Sequence, residues 1–510
     1  MINHINNFSS GYRQKSTSKI RRVFFLSSWL VGLLILLGGA FFLWKIFVLE
    51  KKVSQDVNFG QGKTVMGKKE STLLQTTKNL LSNEKKLLKG SEKNRINVLL
   101  LGMGGEGHKG KYLTDTIILA SINPESYQTA LLSIPRDLYV KIPDTNIHTK
   151  INAVYAYETE NGKSLANQPL ETLKKLIGEI TGQKVDYYLA LDFDGFKKII
   201  DDLGGIEAEV AQDIFDQRYP GPNFSYETFS LSKGFHHLDG ETALKYARVR
   251  HVAGGDFGRA QRQQNVLAAA KNKAFSLETF LNPAKLVSLL NDLGEHIRTD
   301  ITLEEIPSFW ELAKNINAYQ ATNKVLDAWS EDSLLASSHV LLGGQNAYVL
   351  LPRGKNYSAV QELAENIFDL KALTRQKEAI AKENPSLALL TEKNSLNKTL
   401  YTLKKMGYNQ VEIFKDSQQK ENLCEEKSFL YYQKEKTAKP FSLDNLAKEL
   451  EMEIAKLPEE LTLEQDFLVC LNQKDAQYFS SQNEKETDEN EELKEKSILG
   501  ENGEILTNQN

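Results

Sequence analysis

Residues 186–210 read DYYLALDFDGFKKIIDDLGGIEAEV. Tyr187–Leu191 has the character of a strand, Phe193–Leu203 the spacing of a helix, and Ile206–Val210 that of a second, short strand. Upstream, Ile96–Leu101, Thr116–Ile122 and Ala130–Ile134 are apolar runs of strand length, and Leu170–Thr181 repeats with helical spacing. Downstream, Gly240–Ala247 opens with a helix-like turn and Arg259–Phe275 is a strong helix. Strands alternating with helices predict an α/β layered domain.

The chain has 510 residues, long enough for two or three domains, with a formal net charge of −4 and no overall basic excess of the kind nucleic acid selects. That charge is unevenly placed. Residues 1–22 carry Arg13, Lys15, Lys19, Arg21 and Arg22, and then Val23–Trp44 holds no charge at all. About 22 helical residues span about 33 Å, enough for a bilayer core. The expectation is a cytoplasmic basic tail (1–22) and an uncleaved single-pass anchor (23–49), with everything beyond it outside the cytoplasm. Residues 50–94 then read as a polar stalk.

Residues 276–330 look largely helical, Val340–Leu351 a strand pair and Val360–Phe368 a helix, so 276–372 reads as an extension of the domain at 95–275. A charged connector after Lys371 leads to a small α/β module at 386–471. This module holds both cysteines, Cys424 and Cys470, as a disulfide or as two free thiols. Residues 472–510, rich in Glu, Lys and Asn, read as a disordered acidic tail.

The chemistry-bearing residues cluster in 244–263, LKYARVRHVAGGDFGRAQRQ. Arg248 and Arg250 are two apart, as on one face of a strand. Arg259, Arg262 and Gln263 share a helical face, and Asp256 is placed to cap that helix. Guanidinium forks match phosphate oxygens, so the alternatives are a pyrophosphate site or a surface ion-pair network. Asp115 in LTDT either holds Mg²⁺ beside a phosphate or bonds a turn. Arg136 and Asp137 in SIPRDLYV follow a strand at its ligand-binding end, or form a local pair. Asn152 either orients a phosphate or sugar or caps the helix after it. The run GMGGEG at 102–107 matches a dinucleotide fingerprint, but a strand follows where a helix is required. No covalent nucleophile is signalled, which points to phosphoryl chemistry by positioning and charge neutralisation.

The segments INVLLLG, LTDTIILASI, LLSIPRDLYV, KINAVYAY, DYYLALDFDGFKKIIDDLGGIEAEV and LDGETALKYARVRHVAGGDFGRAQRQQNVL together resemble the LytR-CpsA-Psr family of cell-wall glycopolymer ligases. The resemblance covers roughly residues 95–275. It implies a central mixed sheet flanked by helices and a hydrophobic pocket for a polyprenyl tail. It also implies transfer of a phosphoglycan from a polyprenyl-pyrophosphate carrier to peptidoglycan, with Mg²⁺ or Mn²⁺. Under it Asp115 is the metal aspartate, and Arg136, Arg248, Arg250, Arg259, Arg262 and Gln263 bind pyrophosphate; the mechanistic expectation is that Arg136, Asp137, Asp256 and Arg259 are catalytic, with Asp137 or Asp256 taking the acceptor's proton. Residues 386–470 resemble the C-terminal module of some members. Two positions depart from the pattern: Gly104 replaces an aspartate common in the family, and Leu113 an arginine. Glu106 or Lys111 is the expected compensation. The competing expectations are a non-catalytic, membrane-anchored binder of lipid-linked polymer or a regulator, and a pyrophosphatase using water as acceptor.

Overall fold

The structure, a computed structural model, describes residues 86–482 except 109, 161–168, 222–224, 250–254, 276–295, 303–304, 331, 415–422 and 434–438. The expected anchor at 23–49 and the tail beyond 482 lie outside the described residues, among which no helix is long and apolar enough to cross a membrane.

Strands β1 (Ile96–Met103), β2 (Thr114–Ile122) and β3 (Thr129–Ser133) run as an antiparallel meander. A small hairpin, β4 (Tyr139–Lys141) with β5 (His148–Lys150), leads through the 3₁₀ turn Ile151–Ala153 to helices α1 (Val154–Glu160) and α2 (Pro169–Thr181). Strand β6 (Tyr187–Asp192) returns parallel to β1 and feeds α3 (Phe193–Asp202). Asp192 caps that helix, its carboxylate accepting from the Gly195 N–H at 2.8 Å. Next come β7 (Ile206–Val210), the hairpin β8 (Ile214–Pro220) and β9 (Tyr226–Leu231), and β10 (Gly234–Leu238), which pairs with β7. Helices α4 (Gly240–Arg248) and α5 (Gly255–Ala274) follow.

The stretch expected to be largely helical contributes two strands as well as a helix: β11 (Ile297–Thr299), α6 (Ile306–Asn315) and β12 (Thr322–Val325). These strands are the two edges of the central six-stranded mixed sheet, order β11-β6-β1-β2-β3-β12. Residues 276–372 thus complete the domain. The long hairpin β13 (Leu335–Leu342) and β14 (Gln345–Pro352), then α7 (Ser358–Glu365), close it.

Alternation along the central strands sends Leu99, Leu101, Ile117, Leu119 and Leu132 to one face, beneath α1, α2 and α7. Val98, Ile118, Ala120 and Tyr187 go to the other, beneath Leu312 of α6 and Leu88. Leu88 is buried and the Lys89 N–H donates to the Tyr187 hydroxyl at 2.8 Å, so the domain begins within the expected stalk.

The expected connector is a helix, α8 (Lys371–Glu383). The C-terminal module holds β15 (Ser386–Leu390), α9 (Leu396–Lys405), β16 (Gln410–Ile413), β17 (Phe429–Tyr432), α10 (Pro440–Leu450), β18 (Glu453–Lys456) and β19 (Phe467–Cys470). They form a second mixed sheet, order β16-β15-β19-β17-β18, and Cys424 and Cys470 form a disulfide across it. Residues 473–480, expected to be disordered, are a helix, α11 (Gln473–Ser480), capped by Asn472 and anchored by the buried Phe479. The module docks on the segment after β14. Lys355 pairs with Asp475 at 2.8 Å, and the Tyr478 hydroxyl meets the carbonyls of Pro352 and Gly354. A Cβ at Gly354 would sit 2.5 Å from the Glu449 carbonyl, so a side chain there would push the module away.

Candidate active site

The registers bring the C-terminal ends of β1, β3, β6 and β12 and the N-terminal end of β2 to one end of the sheet. Backbone ends and loops gather there, and a cleft opens beside them. Its lining includes Asp115, Asp137, Arg259 and Gln263 with Ile117, Ile134, Val325, Leu326, Trp329, Tyr348 and Leu350.

Asp115, the second residue of β2, is partly exposed, and its Oδ1 is a shared acceptor. Arg136 Nη1 donates to it at 3.0 Å and Asn152 Nδ2 at 3.1 Å. Asn152 therefore braces Asp115, a third role beside the two open to it in the sequence. Arg136 follows β3 and also faces Asp137, Nε to Oδ2, at 3.4 Å. The other oxygen of the buried Asp137 accepts from Lys150 Nζ at 2.6 Å, delivered by the β4–β5 hairpin. The result is an alternating chain, Asp115–Arg136–Asp137–Lys150, in which the buried Asp137 meets a cation on each of its oxygens. Both Asp137 oxygens answer cations, so its geometry suits tethering the two bases better than collecting a proton.

Helix α5 crosses beside the cleft, its Gln264 amide donating to Ser133 Oγ at 2.9 Å. Arg259 and Gln263, one turn apart, both line the cleft. Arg262 does not follow them. Its Nε donates to the Tyr246 carbonyl at 3.1 Å and its Nη2 to the Val249 carbonyl, closing the C-terminal end of α4. The last carbonyls of a helix lack intrahelical donors, and a buried guanidinium supplies them.

Arg248 ends that same helix, so it stands on a helix where a strand face was expected. It donates to the Tyr219 hydroxyl at 3.3 Å and lies 4.2 Å from the Phe193 ring centroid, apart from the cleft lining. Burial pushes the Tyr219 hydroxyl up to about 12, with Arg248 pulling the other way. Arg250 lies outside the described residues. Asp256 is the second residue of α5, inside the helix instead of at its cap, and its side chain is not among those described.

The glycine loop runs straight from β1 into antiparallel β2, which removes the dinucleotide reading. A Cβ at Gly104 would meet His108 Cβ at 3.1 Å, so an aspartate there needs His108 to give way. The exposed Glu106 pairs with Lys111 at 3.3 Å, within the loop itself. Among the described residues no group of three or more His, Cys, Asp or Glu side chains gathers as a metal cage. The candidate donor at the cleft is Asp115, which fits Mg²⁺ in the mode where one or two carboxylates share the ion with substrate phosphates.

Lys150, Trp329 and Tyr348 are site residues the sequence reading did not single out. The signal for Lys150 was its place in KINAVYAY, two residues before Asn152.

Residues 62–340, more than half of the chain, match the sequence model of the LytR_cpsA_psr family. The chain is 30% identical over 282 residues to polyisoprenyl-teichoic acid–peptidoglycan teichoic acid transferase TagV of Bacillus subtilis strain 168, covering 54% of this chain and 66% of that protein. It is 31% identical over 219 residues to the transferase TagU of Enterococcus faecalis strain ATCC 700802 / V583, covering 42% of this chain and 65% of that one. It is 33% identical over 198 residues to regulatory protein MsrR of Staphylococcus aureus strain COL, covering 38% of this chain and 54% of that one. The matched region thus spans less than two thirds of each relative's length. With the family's sequence pattern running through the whole central sheet, this chain belongs to the LytR_cpsA_psr family.

Proposed function

We propose that the chain is a membrane-anchored, extracytoplasmic phosphotransferase that moves a phosphate-linked glycopolymer from a polyprenyl-pyrophosphate carrier to peptidoglycan. The observation that carries this reading is that Asp115, Asp137 and Arg259 line one cleft, with Arg136 and Lys150 held directly behind it on the two aspartates. Cations held in place by neighbouring carboxylates need little reorganisation when charge builds on a transferring phosphate. The acceptor hydroxyl oxygen attacks the sugar-proximal phosphorus, the bond from that phosphorus to the bridging oxygen breaks, polyprenyl phosphate leaves with the electron pair, and the hydroxyl proton ends on that departing phosphate. Arg136, Lys150 and Arg259 hold the pyrophosphate and offset the leaving charge, and Gln263 orients a phosphate oxygen. Asp115, steadied by Asn152, would hold Mg²⁺, which when bound supplies further neutralisation of the phosphate oxygens. The aliphatic wall of Ile117, Ile134, Val325 and Leu326 is suited to the first isoprene units. Relatives named as teichoic acid–peptidoglycan transferases support the substrate classes. The uncharged run at 23–49 supports the anchor, and the Cys424–Cys470 disulfide supports an oxidising exterior.

The full-length chain in detergent, given a polyprenyl-pyrophosphate disaccharide, Mg²⁺ and peptidoglycan fragments, should form a phosphodiester-linked product visible by mass spectrometry. Product that disappears in Arg259→Ala supports the reading. No product from an acceptor preparation that another ligase uses overturns it. Gly104 and the likeness to a protein named as regulatory favour one alternative, a binder or regulator without turnover, for which tight donor binding without product is the signature.

A further inference from the structure

Two aromatic side chains line the cleft from segments that reach it late in the chain: Trp329, in the turn after β12, and Tyr348, on β14. Both are only partly buried. The turn under Trp329 is built on two buried charges. Asp327, 4% exposed, accepts from the N–H groups of Trp329 and Ser330 at 2.8 and 2.7 Å, and from the Ser330 hydroxyl at 3.0 Å. Arg353, 5% exposed, donates to the Ser333 carbonyl at 3.0 Å, the Ser333 hydroxyl at 2.6 Å and the Leu335 carbonyl at 2.7 Å. Buried charges add little net stability, but they impose one geometry, because every alternative leaves them unsatisfied. Here the geometry they impose is that of a loop presenting an indole to a cleft.

Tyr348 is registered just as firmly. Two residues on, the Leu350 N–H donates to the Asp137 carbonyl at 2.9 Å, and Leu350 bridges Leu138. The strand bearing Tyr348 therefore moves only with the segment bearing Arg136 and Asp137. The aromatic pair is fixed relative to the charged floor.

Ile117, Ile134, Val325 and Leu326 make up the aliphatic part of the cleft. Partly open indole and phenol rings, each with a polar edge, suit a partner with an apolar face and a hydroxylated rim, as a sugar ring has. We propose that Trp329 and Tyr348 are the stacking platform for the acceptor glycan, a chain of N-acetylated amino sugars, and so determine acceptor specificity. This deepens the transferase reading and rests on it.

The test uses the full-length chain in detergent and measures two things. The first is the KM for peptidoglycan-derived tetrasaccharide and for the polyprenyl-pyrophosphate donor. The second is direct titration of the tetrasaccharide, without donor, by calorimetry. Trp329→Ala should raise the acceptor KM and weaken the direct titration by about tenfold or more, with the donor KM within about twofold. Trp329→Phe, which keeps a stacking ring, should recover most of the loss and controls for folding, as does an unchanged melting midpoint. A raised donor KM with unchanged acceptor KM overturns the proposal and makes the rings part of the lipid wall. So does undiminished glycan binding in Trp329→Ala, or no glycan binding by the parent chain. If the parent makes no product, the transferase reading fails by itself, and the donor-free titration still decides the platform.

Discussion

Arg136 Nη1 and Asp115 Oδ1 lie 3.0 Å apart, joining the end of β3 to the start of β2 across 21 residues of sequence. The contact sets the spacing between a phosphate-binding base and the candidate metal carboxylate, and the Asn152 amide on the same oxygen at 3.1 Å sets its direction. The two partners are separable by mutation. Arg136→Ala removes the charge that joins Asp115 to Asp137 and should lower kcat/KM for transfer by about 100-fold or more, as loss of a preorganised electrostatic group does. Asn152→Ala removes only the brace. It should raise the Mg²⁺ concentration needed for half-maximal rate by about tenfold, as loss of an outer-shell partner does, and leave the rate at saturating Mg²⁺ within a few fold. Equal Mg²⁺ dependence in Asn152→Ala and parent would rule out the brace.

Arg259 and Arg262 make a paired test, being one helical face by spacing and two roles by structure. Arg259→Ala should abolish transfer even in the molecules that remain folded. Arg262→Ala strands the carbonyls of Tyr246 and Val249 and should cost about 2 kcal/mol or more, yet whatever remains folded should transfer at close to the parental rate. Assays at low temperature with the folded fraction counted by circular dichroism separate the two. The same phenotype in both variants would mean that Arg262 also reaches substrate.

The Arg259–Arg262 contrast marks how far the sequence was legible. Helical spacing put Arg259 and Gln263 on one side correctly, because backbone periodicity fixes where Cβ points. It could not see the carbonyls at the end of α4 that draw the long Arg262 side chain away. The central strands β1, β2 and β6 were plain from apolar runs of strand length. The edges β11 and β12 were not, since three or four residues carry no periodicity and become strands only through their partners. Arg248 stood where a helix end and a strand start look alike. Trp329 reaches the cleft through the turn after β12 and Tyr348 through β14, a strand that was legible but whose place beside the cleft depends on the tertiary fold.

The Cys424–Cys470 disulfide closes a separation of 46 residues, with Cys470 fully buried in β19. Constraining a loop of that size stabilises by about 2–4 kcal/mol through the unfolded chain. Urea unfolding with and without dithiothreitol should shift by that amount, and Cys424→Ser with Cys470→Ala should reproduce the reduced curve. Coincident curves would show that the bond adds nothing to the module.

Glu449 gives the docking seam a pH dependence whose sign follows from its surroundings. Its backbone carbonyl receives the Lys355 N–H at 3.0 Å, so it sits where the C-terminal module meets the segment after β14. Burial pushes its carboxyl up to about 7, and the nearby charge of Glu362 adds to this. The Asn445 amide, 3.0 Å from Oε1, and Lys448 pull the other way but are outweighed. Between the ordinary value of 4.5 and about 7 the folded chain holds a proton that the unfolded chain has lost. Stability is therefore complete below the lower value and falls as pH rises through the higher one, by on the order of 2 kcal/mol for this partly buried group. Glu449→Gln keeps the Asn445 contact without the charge. It should unfold at higher urea than the parent at about pH 8, and at nearly the same urea at about pH 4.5. A parent midpoint that rises over this window where Glu449→Gln stays flat would reverse the sign and show that Glu449 is held ionised at the seam.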